Sequence, residues 1–147
     1  MKQQVLVGVC LAVLAGVAAA STNAAKTFPL KVKVPQQGRL DRFGTAKFTE
    51  TVTCRQACKV GTTVRIKAKM ARRLGFRHIS GKYVVIARNN SVLKARTPTE
   101  MRFVLTREAK RRLGRSKAAV AIYGSVRSAP TARPAVSYSV GWASKLT

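Results

Sequence analysis

Lys59-Val60-Gly61-Thr62-Thr63-Val64-Arg65-Ile66-Lys67-Ala68-Lys69 is the stretch whose pattern decides the fold. Val60, Thr62, Val64, Ile66 and Ala68 stand at every second position, and Lys59, Gly61, Thr63, Arg65, Lys67 and Lys69 fill the others. Successive side chains of a strand point to opposite faces, so this alternation predicts a β-strand with one face toward a core and one cationic face outward.

The same period extends in both directions. Immediately upstream, Cys54-Arg55-Gln56-Ala57-Cys58 precedes the strand, and before it Lys47 to Cys54 alternates again. Phe48, Val52 and Cys54 share one face there, with Glu50 as the polar exception on that inner face. Leu30, Val32 and Val34 alternate with Lys31 and Lys33 until Pro35 stops the run. Downstream, strands are predicted at Tyr83 to Ala87 with weaker periodicity, at Met101-Phe103-Leu105, at Val120-Ile122-Gly124-Val126 and at Val136-Tyr138-Val140-Trp142. Ser128 to Pro134, which carries two prolines, reads as an exposed loop between the last two strands.

Two segments break the alternation and read as short helical turns, Lys69 to Leu74 and Thr106 to Leu113. Each ends in Arg-Arg-Leu-Gly, at Gly75 and at Gly114, 39 residues apart. Thr106 is placed to cap the second turn by accepting a backbone N–H bond. Glu108 suits the positive N-terminal end and Arg111 and Arg112 the negative end, while Gly114 fits a left-handed C-cap.

About seven short strands with turn signals between them, joined by two helical turns, predict an all-β fold, an immunoglobulin-like β-sandwich, with an open barrel as the alternative. Three stretches carry a resemblance: Thr51 to Val60 around the two cysteines, Ala71-Arg72-Arg73-Leu74-Gly75, and Phe103 to Leu113. Over roughly residues 48–126 the chain resembles the arginine-rich immunoglobulin-like or fibronectin-like modules of exported actinobacterial proteins. The resemblance implies a C-x-x-x-C staple on a hairpin and no active site. The segment from Ser128 to Pro134 departs from the family's pattern at the turn between the last two strands.

Export is predicted from the N-terminus. Lys2 precedes an uninterrupted apolar run from Val5 to Val17, and Ala18-Ala19-Ala20 sets small residues before Ser21. A second cleavage site follows Ala25. Residues 1–25 are therefore assigned to a signal peptide and residues 26–147 to a single domain. The competing readings are an uncleaved anchor, for which the apolar run is short against the roughly 20 residues a span needs, and lipidation at Cys10. Cys10 departs with the leader, leaving Cys54 and Cys58 as an even pair in an oxidising compartment, where a structural disulfide is expected.

Charge is the other dominant property. The chain has 29 Lys and Arg against 4 Asp and Glu, a net charge of +25. Loss of the leader removes only Lys2, so the exported chain carries +24. With so few acids, ion pairs can neutralise few of the cations, and the remainder face solvent or an anionic partner.

Catalytic and cofactor chemistry finds little to build on. His78 is the only histidine, and the four acids, Asp41, Glu50, Glu100 and Glu108, lie in unrelated segments. A zinc site needs about four ligands, and a glycosidase needs two facing carboxylates. Glu50 is expected to be partly covered and paired with an arginine. No phosphate-binding glycine loop is present in the sequence, and no cofactor or metal is predicted.

Basic clusters are the remaining signal. Arg72, Arg73 and Arg77 flank the first helical turn, and Arg107, Lys110, Arg111, Arg112 and Arg115 flank the second. Residues four apart share a helix face, so Arg107, Arg111 and Arg115 form a cationic stripe. The expected partners are anionic polymers, either a cell-wall polymer of teichoic type or nucleic acid, bound without sequence preference. A sequence-independent nucleic-acid-binding protein is the first rival reading. A membrane-active cationic defence protein is the second, although it requires a broad amphipathic helix that the two short turns do not supply.

Overall fold

The computed structural model describes residues 29–147; the predicted signal peptide and its cleavage sites lie outside them. The chain is mostly β, in two sheets, the larger of which curls into a half-barrel. Its elements, in chain order, begin with β1 (Leu30–Lys33), β2 (Gln37–Gly38), a 3-10 turn (Leu40–Arg42), β3 (Thr49–Cys54) and β4 (Cys58–Lys67). They continue with α1 (Ala68–Arg73), β5 (Tyr83–Leu93), β6 (Thr99–Arg102), β7 (Val104–Leu105), α2 (Arg107–Leu113), β8 (Val120–Pro130) and β9 (Tyr138–Leu146).

The smaller sheet has the order β1-β3-β6 and the larger β2-β9-β8-β4-β5-β7, with every pair antiparallel except β2 with β9. β4 lies between β8 and β5. Its inner positions Val60, Thr62, Val64 and Ile66 are buried, as its alternation predicts. Leu30, Val52 and Met101 from the smaller sheet meet Val60, Leu93 and Val126 from the larger, so apolar faces of both sheets close on one another. A second cluster gathers Phe43, Phe48, Phe103, Val64, Ile66, Ile86 and Ile122. Phe103 stands 5.4 Å from the Phe43 ring, 6.0 Å from Phe48 and 5.6 Å from Trp142, separations at which aromatic pairs attract beyond the area they bury.

Trp142 joins the two clusters. Its indole lies over Gly124, its cross-strand partner, in the space that a Cβ at position 124 would take. A glycine in mid-strand is otherwise unfavourable; here it lets the indole settle into the core.

Cys54 and Cys58 are joined across the connection from β3 to β4, with Cα atoms 6.4 Å apart, and both are buried. On the chain-entropy view so small a ring constrains the unfolded chain only modestly.

Four local expectations need correction. The segment Met101-Phe103-Leu105 is not one strand: β6 pairs with β3, β7 pairs with β5, and buried Phe103 lies where the chain passes between sheets. β8 runs through Ser128 to Pro130, because Cys58, Lys59 and Val60 of β4 extend far enough to pair with these residues. The exposed loop therefore begins at Thr131, and the last strand begins at Tyr138 rather than Val136. Gly114 is right-handed (φ −63°, ψ −17°), and the chain winds on, with the Arg115 and Ser116 N–H groups reaching the Arg112 and Leu113 carbonyls. Gly75, by contrast, has φ +80°, a value that favours glycine, and turns the chain back after α1.

β5 shows why its periodicity is weak. Val64 pairs with Ala87 while Arg65 pairs with Val85, so Ile86 is the extra residue of a β-bulge. Ile86 and Ala87 are consequently both buried, and the inward phase shifts to Asn89 and Leu93.

Candidate polyanion-binding face

The two helical turns adjoin. In α1, Ala68 and Ala71 are buried, while Lys69, Arg72 and Arg73 are exposed. In α2, Ala109 and Leu113, four residues apart, are buried, which leaves Arg107, Lys110 and Arg111 outward. Thr106 caps α2 as its sequence predicts, its hydroxyl accepting from the Ala109 N–H at 3.2 Å. Ala71, Phe76, Ala109 and Leu113 belong to one apolar cluster and pin both turns to the same part of the core.

Polar contacts complete the join. The Arg77 backbone N–H donates to Glu108 Oε1 at 2.7 Å, which ties the loop after α1 to the first turn of α2. The Arg112 guanidinium lies against Gly75, close enough that a Cβ on Gly75 would stand 3.3 Å from Nη1. Arg112 is half-buried and its Nε is unpaired; its stem packs over the turn that Gly75 makes.

The structure therefore brings together the two groups that sequence placed on separate segments. The joins at Arg77 with Glu108 and at Gly75 with Arg112 tie the segment carrying Arg72, Arg73 and Arg77 to the one carrying Arg107, Lys110, Arg111, Arg112 and Arg115, and all of these but Arg112 are exposed. The single carboxylate among them, Glu108, accepts a backbone N–H. Glu108 keeps its charge in that bond, but one carboxylate against so many cations leaves the face strongly positive, and its field draws an approaching anion.

Glu50 differs from expectation. It is fully buried near the start of β3, and its partners are Thr62 and Asn89, not an arginine: Thr62 Oγ1 and Asn89 Nδ2 both donate to Oε1, the latter at 2.9 Å. Asn89 Oδ1 in turn accepts from the Thr62 N–H at 3.2 Å. The indole N–H of Trp142 faces the carboxylate, although neither it nor Glu50 Oε2 has a partner with full hydrogen-bond geometry. Burial pushes the carboxyl pKa up from the ordinary glutamate range, and the contacts from Thr62, Asn89 and Trp142, in that order, partly offset the rise. Sealed from solvent, Glu50 has no access to a substrate and serves as a polar tie between β3, β4 and β5.

Sequence reasoning passed over one concentration of cations, on the outer face of the larger sheet. Arg65, Arg88 and Arg127 come from three different strands, and their nearness follows from register, which alternation alone does not specify. The usable signal was the outward row Lys59, Arg65 and Lys67 in the strand that decides the fold.

Among the described residues no three His, Cys, Asp or Glu side chains gather as metal ligands, and no helix is long and apolar enough to cross a membrane. No family model, curated protein or solved structure matches the chain.

Proposed function

We propose that this protein is an exported, non-catalytic module that adheres to anionic polymers of the cell envelope through the joined face of α1 and α2. The observation that carries the reading is the union of two basic turns around one already engaged carboxylate. Polymers with repeated phosphates or carboxylates release condensed counterions when such a face neutralises them, which favours binding without sequence preference. Retention at the envelope follows from the same attraction, because an exported chain with a charge of +24 meets anionic polymer as soon as it crosses the membrane.

An immunoglobulin-like or fibronectin-like frame is supported by the strand order. β1-β3-β6 opposite β9-β8-β4-β5 corresponds to the A-B-E and G-F-C-C′ arrangement of that class, with the seven principal strands in the same chain order. In this frame the helical turns occupy the connections after the C strand and before the F strand, and the strands beneath hold them in place.

Chromatography tests the reading directly. At low salt the protein is expected to be retained on an immobilised glycerol-phosphate polymer, to pass unretained through a matched neutral dextran, and to elute from the former as salt rises. Equal retention on both matrices would contradict an electrostatic mode of adhesion.

A further inference from the structure

The outer face of the larger sheet holds a cleft of about 340 Å3 away from the helical turns. On β4 its floor is Gly61 and Thr63, with Arg65 next along the same face. Thr63 pairs with Arg88 of β5 on one side and with Ser125 of β8 on the other. Gly61 pairs with Asn90 and with Arg127. Neighbouring strands lie roughly 4.8 Å apart, so Arg88 and Arg127 approach the β4 floor from opposite sides and Arg65 closes one end.

None of the four acids lies on this face. Asp41 is paired with Arg39, Glu50 is buried beneath the sheet, Glu100 is on β6 of the smaller sheet, and Glu108 is on α2. Three arginines thus line one cleft with no carboxylate among them, an arrangement whose mutual repulsion a bound anion would relieve. The Gly61 notch keeps the centre open: a Cβ there would stand 3.0 Å from Asn90 Oδ1. Each guanidinium presents a planar fork suited to two oxygens of a tetrahedral oxyanion, and the Thr63 and Ser125 hydroxyls supply further donors.

We propose that Arg65, Arg88 and Arg127, with Thr63, Asn90 and Ser125, form a discrete site for the phosphate group of a small ligand, either free phosphate or a phosphoester. The site is independent of the polymer reading. A polymer held only by α1 and α2 leaves the cleft empty, and phosphate in the cleft needs no polymer.

Titration of the protein with inorganic phosphate, and separately with glycerol 3-phosphate, at constant ionic strength tests it. Both probes are expected to saturate one site per chain, and tighter binding of glycerol 3-phosphate assigns the site to an ester, whereas equal or weaker binding assigns it to free phosphate. Replacing Arg65, Arg88 and Arg127 together by Gln should weaken phosphate at least about tenfold, since each substitution removes a charge-assisted bond. The Arg107, Arg111 and Arg115 triple Gln variant should change it by less than about twofold, as those residues lie outside the cleft. All six arginines are exposed, and a preserved unfolding midpoint verifies each variant; the single Arg127→Gln repeats the test with a smaller effect. Binding that fails to saturate, or that falls equally in both triple variants, overturns the discrete site. Failure of the unaltered protein to be retained on the polymer, with its phosphate binding intact, strikes the helical-face reading alone.

Discussion

Affinity for duplex DNA, used as a polyanion of known charge density, should fall about 500-fold as monovalent salt rises from about 50 to about 200 mM. Each duplex phosphate neutralised contributes a slope of about −0.9 to log affinity against log salt, and a footprint of about five phosphates gives a slope near −4.5. The face supplies such a footprint: Arg72, Arg73, Arg77, Arg107, Lys110, Arg111 and Arg115 are all exposed there. Phosphates engage these cations in place of condensed counterions, and added salt reverses the gain by mass action. Anisotropy with unrelated duplex sequences measures the slope. A slope near zero, or a strong preference for one sequence, would show that interactions other than phosphate neutralisation hold the complex.

Replacing Glu50 with Gln should raise the unfolding temperature by several degrees at pH 8 and leave it nearly unchanged at pH 4. Burial raises the Glu50 pKa above its value in the unfolded chain. Between those two values the native state binds more protons than the unfolded state, so stability declines as pH rises. The contribution is fully present below the ordinary glutamate value of 4.5, and it is lost as pH climbs from there through the folded pKa. Glutamine keeps a carbonyl oxygen to accept from Thr62 and Asn89 but carries no charge to desolvate. The gain expected above the folded pKa is on the order of 1–3 kcal/mol, the cost of leaving a buried polar group unsatisfied. Thermal unfolding of both proteins across this pH range checks the prediction. Parallel pH profiles would mean that Glu50 stays ionised at little cost, with Trp142 compensating Oε2.

Alternation made the strands with one buried and one exposed face legible. β1, β3 and β4 lie where period two sets them, because each buries one face against the opposite sheet and exposes the other. The second helical turn was legible from its Thr106 cap and from Ala109 and Leu113 at helical spacing. Local pattern failed where a long-range choice decided the outcome. The bulge at Ile86 reset the phase of β5, and the strand's continuation through Asn89 and Asn90 was hidden because those residues seldom occupy strands. β2 is only two residues long and exists because it pairs with the distant β9.

For the candidate site, residue type and helical spacing identified every cation of the two turns but not their union. That union depends on Glu108 reaching the Arg77 N–H and on Arg112 lying against Gly75, interactions that span more than thirty residues. The partners of Glu50 were missed for a related reason: an inward carboxylate in a basic chain suggested an arginine, whereas the sheet register supplied two neutral donors, Thr62 and Asn89.

A comparison of two charge-matched triple variants tests the central claim, that polyanion binding is localised on the face of α1 and α2. In one, Arg107, Arg111 and Arg115 become Gln; in the other, Lys31, Lys33 and Lys94, exposed residues of β1 and of the loop after β5, become Gln. The first should make the salt slope on duplex DNA shallower by up to about 2.7, or about 0.9 for each phosphate no longer neutralised, and the second should leave it nearly unchanged. Equal reductions in the two variants would contradict the account, because the whole cationic surface, rather than this face, would then be what holds the polymer.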